Sequence, residues 1–169
     1  MPARGFAMRA ADIRWFGLAL SLLALHGQAW AQTRYTPSAD GHEITDSRTG
    51  LIWRRCAEGM TWKVRTCTGQ AVFLNQPEAA ARAKAAAAPE AEWRLPVLKE
   101  LSSIVSVREA EEGKAAIDPV AFPGTPVARF WTSSSSGPGY FTFVGFSDGS
   151  AGESPRAAPG AVRLVRNPK

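Results

Sequence analysis

An α+β fold is what this sequence predicts, on three observations: an Ala-rich segment with its own helix-start signal, a second short stretch with helical apolar spacing, and a C-terminal half in period two broken by Gly, Pro and Ser. From the front, His42–Thr45 alternates as a strand, Asp46–Gly50 carries turn chemistry, and Leu51–Arg55 resumes extended character, which together predict a β-hairpin. Asn75-Gln-Pro-Glu78 places an Asx N-cap before an early Pro and a Glu three positions on, leading into a helix over Ala79–Ala88 that Pro89 ends. Pro96 opens a second helix, whose apolar face is Leu98, Leu101, Ile104 and Val105. Glu109, Glu111, Glu112 and Asp118 read as a loose acidic stretch, solvated or mobile. Strands are expected over Phe130–Ser134, Tyr140–Phe146 and Ala161–Arg166, with surface loops at Ser133–Gly139 and Ser150–Gly160.

The chain has 169 residues, 45% of them hydrophobic, with six Trp and eight Phe, enough for one well-cored domain and unlike a disordered chain. Arg4, Arg9 and Arg14, the apolar run Trp15–Leu25 and the triplet Ala29-Trp30-Ala31 have the order of a secretory signal cut near Ala31. That run is too short to span a bilayer. The organisation expected is therefore a signal over 1–31, a disordered lead-in over 32–41 and a domain over 42–167, periplasmic or secreted, without stable membrane insertion. Loss of the signal lowers the net charge from +5 to about +3, too mild for a nucleic-acid binder. It also leaves His42 as the one imidazole, read as an exposed residue where a strand begins. Two His and two Cys supply no metal cage, no acidic cluster suggests calcium, and no cofactor or metal is expected.

Cys56 and Cys67 form an even pair in an oxidising compartment and read as a disulfide, with two reduced thiols as the alternative. The bridge closes a loop of about 12 residues, worth on the order of 3 kcal/mol on the chain-entropy account. Arg54, Arg55, Lys63 and Arg65 lie on or beside that loop with Trp62 among them, a set suited to a sulfated or carboxylated sugar. Alternation puts Arg54 and Arg55 on opposite faces, and Arg163 and Arg166 likewise cannot share one strand face. Trp53, Trp93 and Trp131 are expected in the core, and Arg94 is read as a brace that pairs with Glu100 or caps carbonyls. Ser133–Ser136 lacks a nucleophile elbow and has no activating His, so no catalytic residue is assigned. A carboxylate pair such as Asp46 with Glu58, or Glu100 with Asp148, is the one route to hydrolysis.

Asp46-x-x-Thr-Gly-Leu-Ile-Trp53, Glu92-Trp-Arg-Leu-Pro96 with Glu100-Leu101, Phe130-Trp-Thr-Ser133 and Val162-Arg-Leu-Val-Arg166 fall in one order across the domain. As a set they resemble the C-terminal domain family of bacterial collagen-like adhesins, the Lcl C-terminal domain. The resemblance covers about Ile44–Arg166 and makes Trp53, Trp93, Arg94, Leu95, Pro96, Glu100, Leu101, Trp131, Arg163 and Arg166 its motif residues. It implies a C-type-lectin-like fold, two helices packed on a small, looped antiparallel sheet whose first and last strands approach each other. It also implies, for some members, attachment to sulfated polysaccharide or host matrix. Val97 departs from the Thr common there and removes a hydroxyl cap from the second helix. The expected function is an exported, non-enzymatic recognition or adhesion module for a sulfated or acidic glycan. The alternatives are a periplasmic structural or protein-interaction domain contacting an envelope protein, and, behind both, an envelope hydrolase.

Overall fold

The structure, a computed structural model, describes residues 33–169; the expected secretory signal and its cut lie outside the described residues. Strands β1 (Tyr35–Pro37), β2 (Glu43–Asp46) and β3 (Ile52–Arg54) are followed by a small hairpin, β4 (Thr61–Lys63) and β5 (Thr66–Thr68). Helices α1 (Gln76–Ala86), α2 (Leu98–Ser103) and α3 (Val107–Glu111) come next, then β6 (Arg129–Gly137), β7 (Tyr140–Gly145), β8 (Ala151–Pro155) and β9 (Val165–Arg166). Three antiparallel sheets result, ordered β1-β2-β3-β9, β4-β5 and β6-β7-β8. The α+β class is as expected, and β9 beside β3 brings the last strand to the first hairpin.

The lead-in expected to be disordered instead carries β1, paired from Tyr35 opposite Asp46 to Pro37 opposite Ile44. Two anchors order it: the Tyr35 ring meets Phe122 edge-on, 5.4 Å between centroids, and Arg34 grips Asp46 through two hydrogen bonds of 2.9 and 2.7 Å. Asp46 is fully buried and also accepts from the Arg48 N–H and the Thr49 hydroxyl, which closes the β2–β3 turn.

Helix α1 begins as its signal predicts. The Asn75 side chain accepts from the Glu78 N–H and the Glu78 carboxylate accepts from the Asn75 N–H, both at 3.0 Å. Its small face, Ala79 and Ala83, packs against Trp93, Leu95, Trp131, Val162 and Leu164. Helix α2 has no side-chain cap at Val97, as expected, but two neighbours compensate. Glu100 accepts from the Val97 N–H at 2.8 Å, and the Ser134 hydroxyl of β6 accepts from the Leu98 N–H at 3.0 Å. Arg94 braces Glu100 bidentately at 2.7 Å on both oxygens.

Four further sequence readings need correction. The acidic stretch folds into α3, where one helical turn directs Glu109 inward; it is buried and ion-paired to Arg108 at 2.9 Å, while Asp118 caps the Val120 and Ala121 N–H groups. The expected loop over Ser150–Gly160 contains β8. Its pattern is hidden because Gly152 lies against the Phe143 ring, where a Cβ would come within 2.7 Å, so the position shows no strand-forming side chain. Strand β6 runs on to Gly137 through two register shifts, and of Ala161–Arg166 only Val165–Arg166 joins a ladder.

Ala161–Val165 is buried at every residue and threads the centre of the molecule. Ala161 exchanges hydrogen bonds with Arg129 and Trp131, Val162 accepts from the Glu58 N–H, Leu164 accepts from the Arg54 N–H, and Val165 pairs with Arg94. A larger apolar cluster of Trp53, Leu101, Ile104, Phe122, Phe130 and Phe146 lies alongside. Trp53, Trp93 and Trp131 are all buried, and the Trp131 indole N–H donates to Leu74 O at 2.8 Å.

Within this interior Arg163 is 1% exposed and faces no carboxylate among the described residues. Its guanidinium donates to the carbonyls of Arg54 (2.9 Å) and Arg55 and to the Thr125 hydroxyl (2.7 Å), and it stacks on Phe122 and Phe130 at 4.9 and 5.7 Å. Burial pushes its pKa down to about 9, so it remains charged at neutral pH. Arg163→Met strips three acceptors of their donor and lowers the unfolding free energy by roughly 3 kcal/mol or more. Arg163→Lys recovers only part of this, because one ammonium cannot span those acceptors and stack as a plane does. Urea denaturation of the two variants measures both.

Acid sensitivity follows from Asp46 and Glu100. Burial by itself raises each carboxyl, but Arg34 with the Arg48 N–H, and Arg94 with the Val97 N–H, outweigh it and hold both below their ordinary values. A carboxylate depressed in the folded state stabilises it above the unfolded pKa, and that stabilisation is lost as pH falls through the folded pKa. Melting temperature therefore falls steadily below about pH 4, and Asp46→Asn, less stable at pH 7, shows a shallower acid decline.

Candidate functional site

The hairpin β4–β5 is built on the Cys56–Cys67 disulfide, whose Cα atoms stand 5.4 Å apart. Thr61 pairs with Thr68, Trp62 with Cys67 and Lys63 with Thr66, leaving Val64 and Arg65 as a two-residue turn. Both have positive φ, 48° and 72°. Two-residue hairpins ask for such angles and usually supply Asn-Gly; a β-branched Val there is strained. Val64 is 86% exposed, so no packing compensates the strain at the tip.

What fixes the base is Arg55. Its guanidinium donates to Ala121 O (2.9 Å), Val120 O (2.7 Å) and Gly41 O (3.3 Å), and the Trp62 ring covers it at 4.0 Å. Burial pushes the Arg55 pKa below its ordinary value, the cost of taking a cation out of water. Gly41 permits the arrangement: its φ is +76°, and a Cβ there would lie 2.6 Å from the Trp62 indole nitrogen.

Below the hairpin lies a cleft of about 310 Å³ whose walls include His42, Glu43, Arg54, Glu58, Trp62 and Trp93. Its charges are matched in pairs, Arg54 with Glu58 at 3.0 Å and Arg166 with Glu43 at 2.6 Å. Both guanidinium groups lie over the Trp93 ring, at 5.0 and 5.4 Å. Lys63 and Arg65, by contrast, are exposed and form no ion pair among the described residues.

The structure thus divides the five residues expected to hold a ligand. Arg54 and Trp62 line one cleft, with Lys63 and Arg65 on the adjoining hairpin, whereas Arg55 is buried scaffold; its side chain has its donors committed to backbone and its face to Trp62. Arg54 and Arg55 do diverge, as alternation requires, and so do Arg163 and Arg166. The carboxylates weighed for hydrolysis are engaged elsewhere: Asp46 with Arg34, Glu58 with Arg54 and Glu100 with Arg94. Asp148 caps the Ser150 N–H. No group of three or more His, Cys, Asp or Glu placed to hold a metal exists among the described residues. Sequence reasoning missed Glu43, Glu58 and Trp93 as cleft walls. The four-residue spacing of Arg54 and Glu58 was the only available signal, and outside a helix it carries little.

Val64→Asn, which tolerates the left-handed region, is expected to raise stability by about 1 kcal/mol. Thermal unfolding measures the gain.

A family model described as the Lcl C-terminal domain matches residues 42–166, from the start of the first hairpin to the end of β9. No curated protein matches the chain.

Proposed function

We infer, from the premise that this chain belongs to the Lcl C-terminal domain family, that it is an exported recognition module that holds an acidic or sulfated polysaccharide at the β4–β5 hairpin without transforming it. The family is adhesin-associated, and attachment needs affinity rather than turnover. One observation carries the ligand class: Lys63 and Arg65 stand in solvent on a cross-linked hairpin with no ion-pair partner among the described residues, beside a cleft whose charges Arg54 and Glu58 neutralise each other. A fixed cation without a protein partner attracts sulfate or carboxylate at low salt, and a pre-ordered loop spends little entropy on binding. Trp62, pinned by Arg55, offers the remaining ring edge to a sugar.

We read the fold as C-type-lectin-like, supported by the first hairpin and last strand sharing one sheet with helices packed beside it. Export is supported by the disulfide, which persists in oxidising compartments.

Retention on a heparin or dextran-sulfate matrix tests the reading. The protein is expected to bind at low ionic strength and to elute as salt rises and the Debye length shrinks. Changing Lys63 and Arg65 together to Ala abolishes retention and leaves the melting temperature unchanged, because neither residue makes a packing contact the fold needs. Passage of the unchanged protein through the matrix at low salt overturns the assignment and favours a protein partner.

A further inference from the structure

A further cation stands beside apolar surface without an acid of its own. Register puts Arg129, Phe143 and Ser154 on one face of the β6-β7-β8 sheet. The Arg129 guanidinium lies over the Phe143 ring at 5.3 Å and donates through Nη1 to the buried Ser154 hydroxyl at 3.1 Å, so its place is fixed at two points. It forms no ion pair among the described residues, and its Nε and Nη2 groups donate to no acceptor there. Those two groups make up an edge with which a guanidinium grips a carboxylate through two parallel hydrogen bonds.

Arg129 is one wall of an open pocket of about 460 Å³, which Phe73, Phe143, Ser147, Ser150 and Pro159 also line. Phe73 is 53% exposed, and a large apolar ring left in water beside a held cation is the feature that calls for an explanation. Backbone at the pocket is already committed. Ala128 O accepts from the Phe146 N–H, Arg129 O from the Ala161 N–H and Gly145 O from the Gly149 N–H, while the Gly145 N–H donates to Ser150 O and Pro159 has no N–H to give. Asp148 borders the pocket at Gly145, but it is held by the Ser150 N–H at 2.9 Å and does not pair with Arg129. What remains for a ligand is a guanidinium edge, an aromatic ring and the hydroxyls of Ser147 and Ser150.

We propose that this pocket binds a uronic acid residue of an acidic glycan. Its carboxylate lies on the Nε–Nη2 edge of Arg129, the C–H face of its ring rests on Phe73, and its hydroxyls meet those of Ser147 and Ser150. The chemistry of the walls selects this occupant among the anions. A peptide ending in a carboxylate needs backbone partners beside it, and those named above are taken. A sulfate ester brings a third oxygen, for which no second cation lines the pocket among the described residues. A neutral sugar leaves the guanidinium edge unanswered, and an acid without hydroxyls leaves the two serines so.

No residue lining this pocket lines the cleft beneath the hairpin, so the proposal and the hairpin reading fail separately. The purified protein, labelled with nitrogen-15, is titrated with methyl β-glucuronide. Parallel titrations use methyl β-glucoside as the neutral sugar, glucose 6-sulfate as the sulfate ester and N-acetylphenylalanine as the peptide terminus. Saturable shifts at the Phe73, Ser147 and Ser150 amides and at Arg129 Nε are expected with the glucuronide. The other three probes are expected to bind at least about tenfold more weakly, and Arg129→Gln, which keeps an amide donor for Ser154, to weaken the glucuronide by at least about tenfold. Should Arg129→Gln fail to fold, Phe73→Ala at an exposed position weakens the glucuronide by at least about threefold. The proposal is overturned by the absence of saturable shifts, by an equal or stronger response to any of the other probes, by shifts confined to the hairpin, or by undiminished binding in a folded variant.

Discussion

A cation sealed in the interior, with no counter-ion among the described residues, sets the terms for the rest of the domain. Arg163 sits among aromatic rings and is tolerable there because carbonyls and a hydroxyl accept hydrogen bonds from its N–H groups and because Phe122 and Phe130 offer their faces. Two of those acceptors are the carbonyls of Arg54 and Arg55, directly before Cys56. The end of β3, and with it the root of the disulfide hairpin, is thereby held from beneath. Thr125, the third acceptor, fixes the far end of the loop whose carbonyls at Val120 and Ala121 receive Arg55. Two arginines therefore clamp one loop from opposite ends, and the hairpin stands on that clamp.

This division of labour explains how a basic surface feature survives on a chain with modest net charge. Arginines in the interior or at its margin are matched: Arg34 by Asp46, Arg54 by Glu58, Arg94 by Glu100, Arg166 by Glu43, and Arg55 and Arg163 by backbone oxygens. Each matched cation has its field largely cancelled and serves geometry. Lys63 and Arg65 keep theirs, because the hairpin carries no acid: Thr61 to Thr68 contains neither Asp nor Glu. The distinction between a bracing cation and one left facing solvent is thus a matter of which partners the fold brings near, and it is invisible in a count of charges.

What was legible in the sequence was what is local. The Asn75–Glu78 capping box, the first hairpin with its turn, and the Arg94–Glu100 brace all lie within a few residues and obey rules of spacing. The disulfide was legible because only two cysteines were available. What escaped depends on contacts across the chain. Arg55 was correctly placed opposite Arg54, but alternation does not say which face is inside; Ala121 and Val120, more than sixty residues away, decide it. Strand β8 escaped because Gly152 must be small beneath Phe143, so a packing requirement erased the alternating pattern. Strand β1 escaped because its ordering comes from Asp46 and Phe122 rather than from itself.

The strain at Val64 and Arg65 fits the same scheme. Left-handed angles at two successive non-Gly residues persist only where the surroundings over-determine them. Here the surroundings are the cross-link below, Trp62 clamped on Arg55 at one side and the paired ladder to Thr66 at the other. Stability drawn from a rigid base is passed to an unfavourable tip, and what the tip gains is an Arg where a relaxed turn would place Gly. A turn built for stability alone has no reason to make that exchange. A turn that must hold a guanidinium in solvent at a fixed distance from Lys63 does, because glycine, the residue that relieves the angle, is also the one that removes the charge.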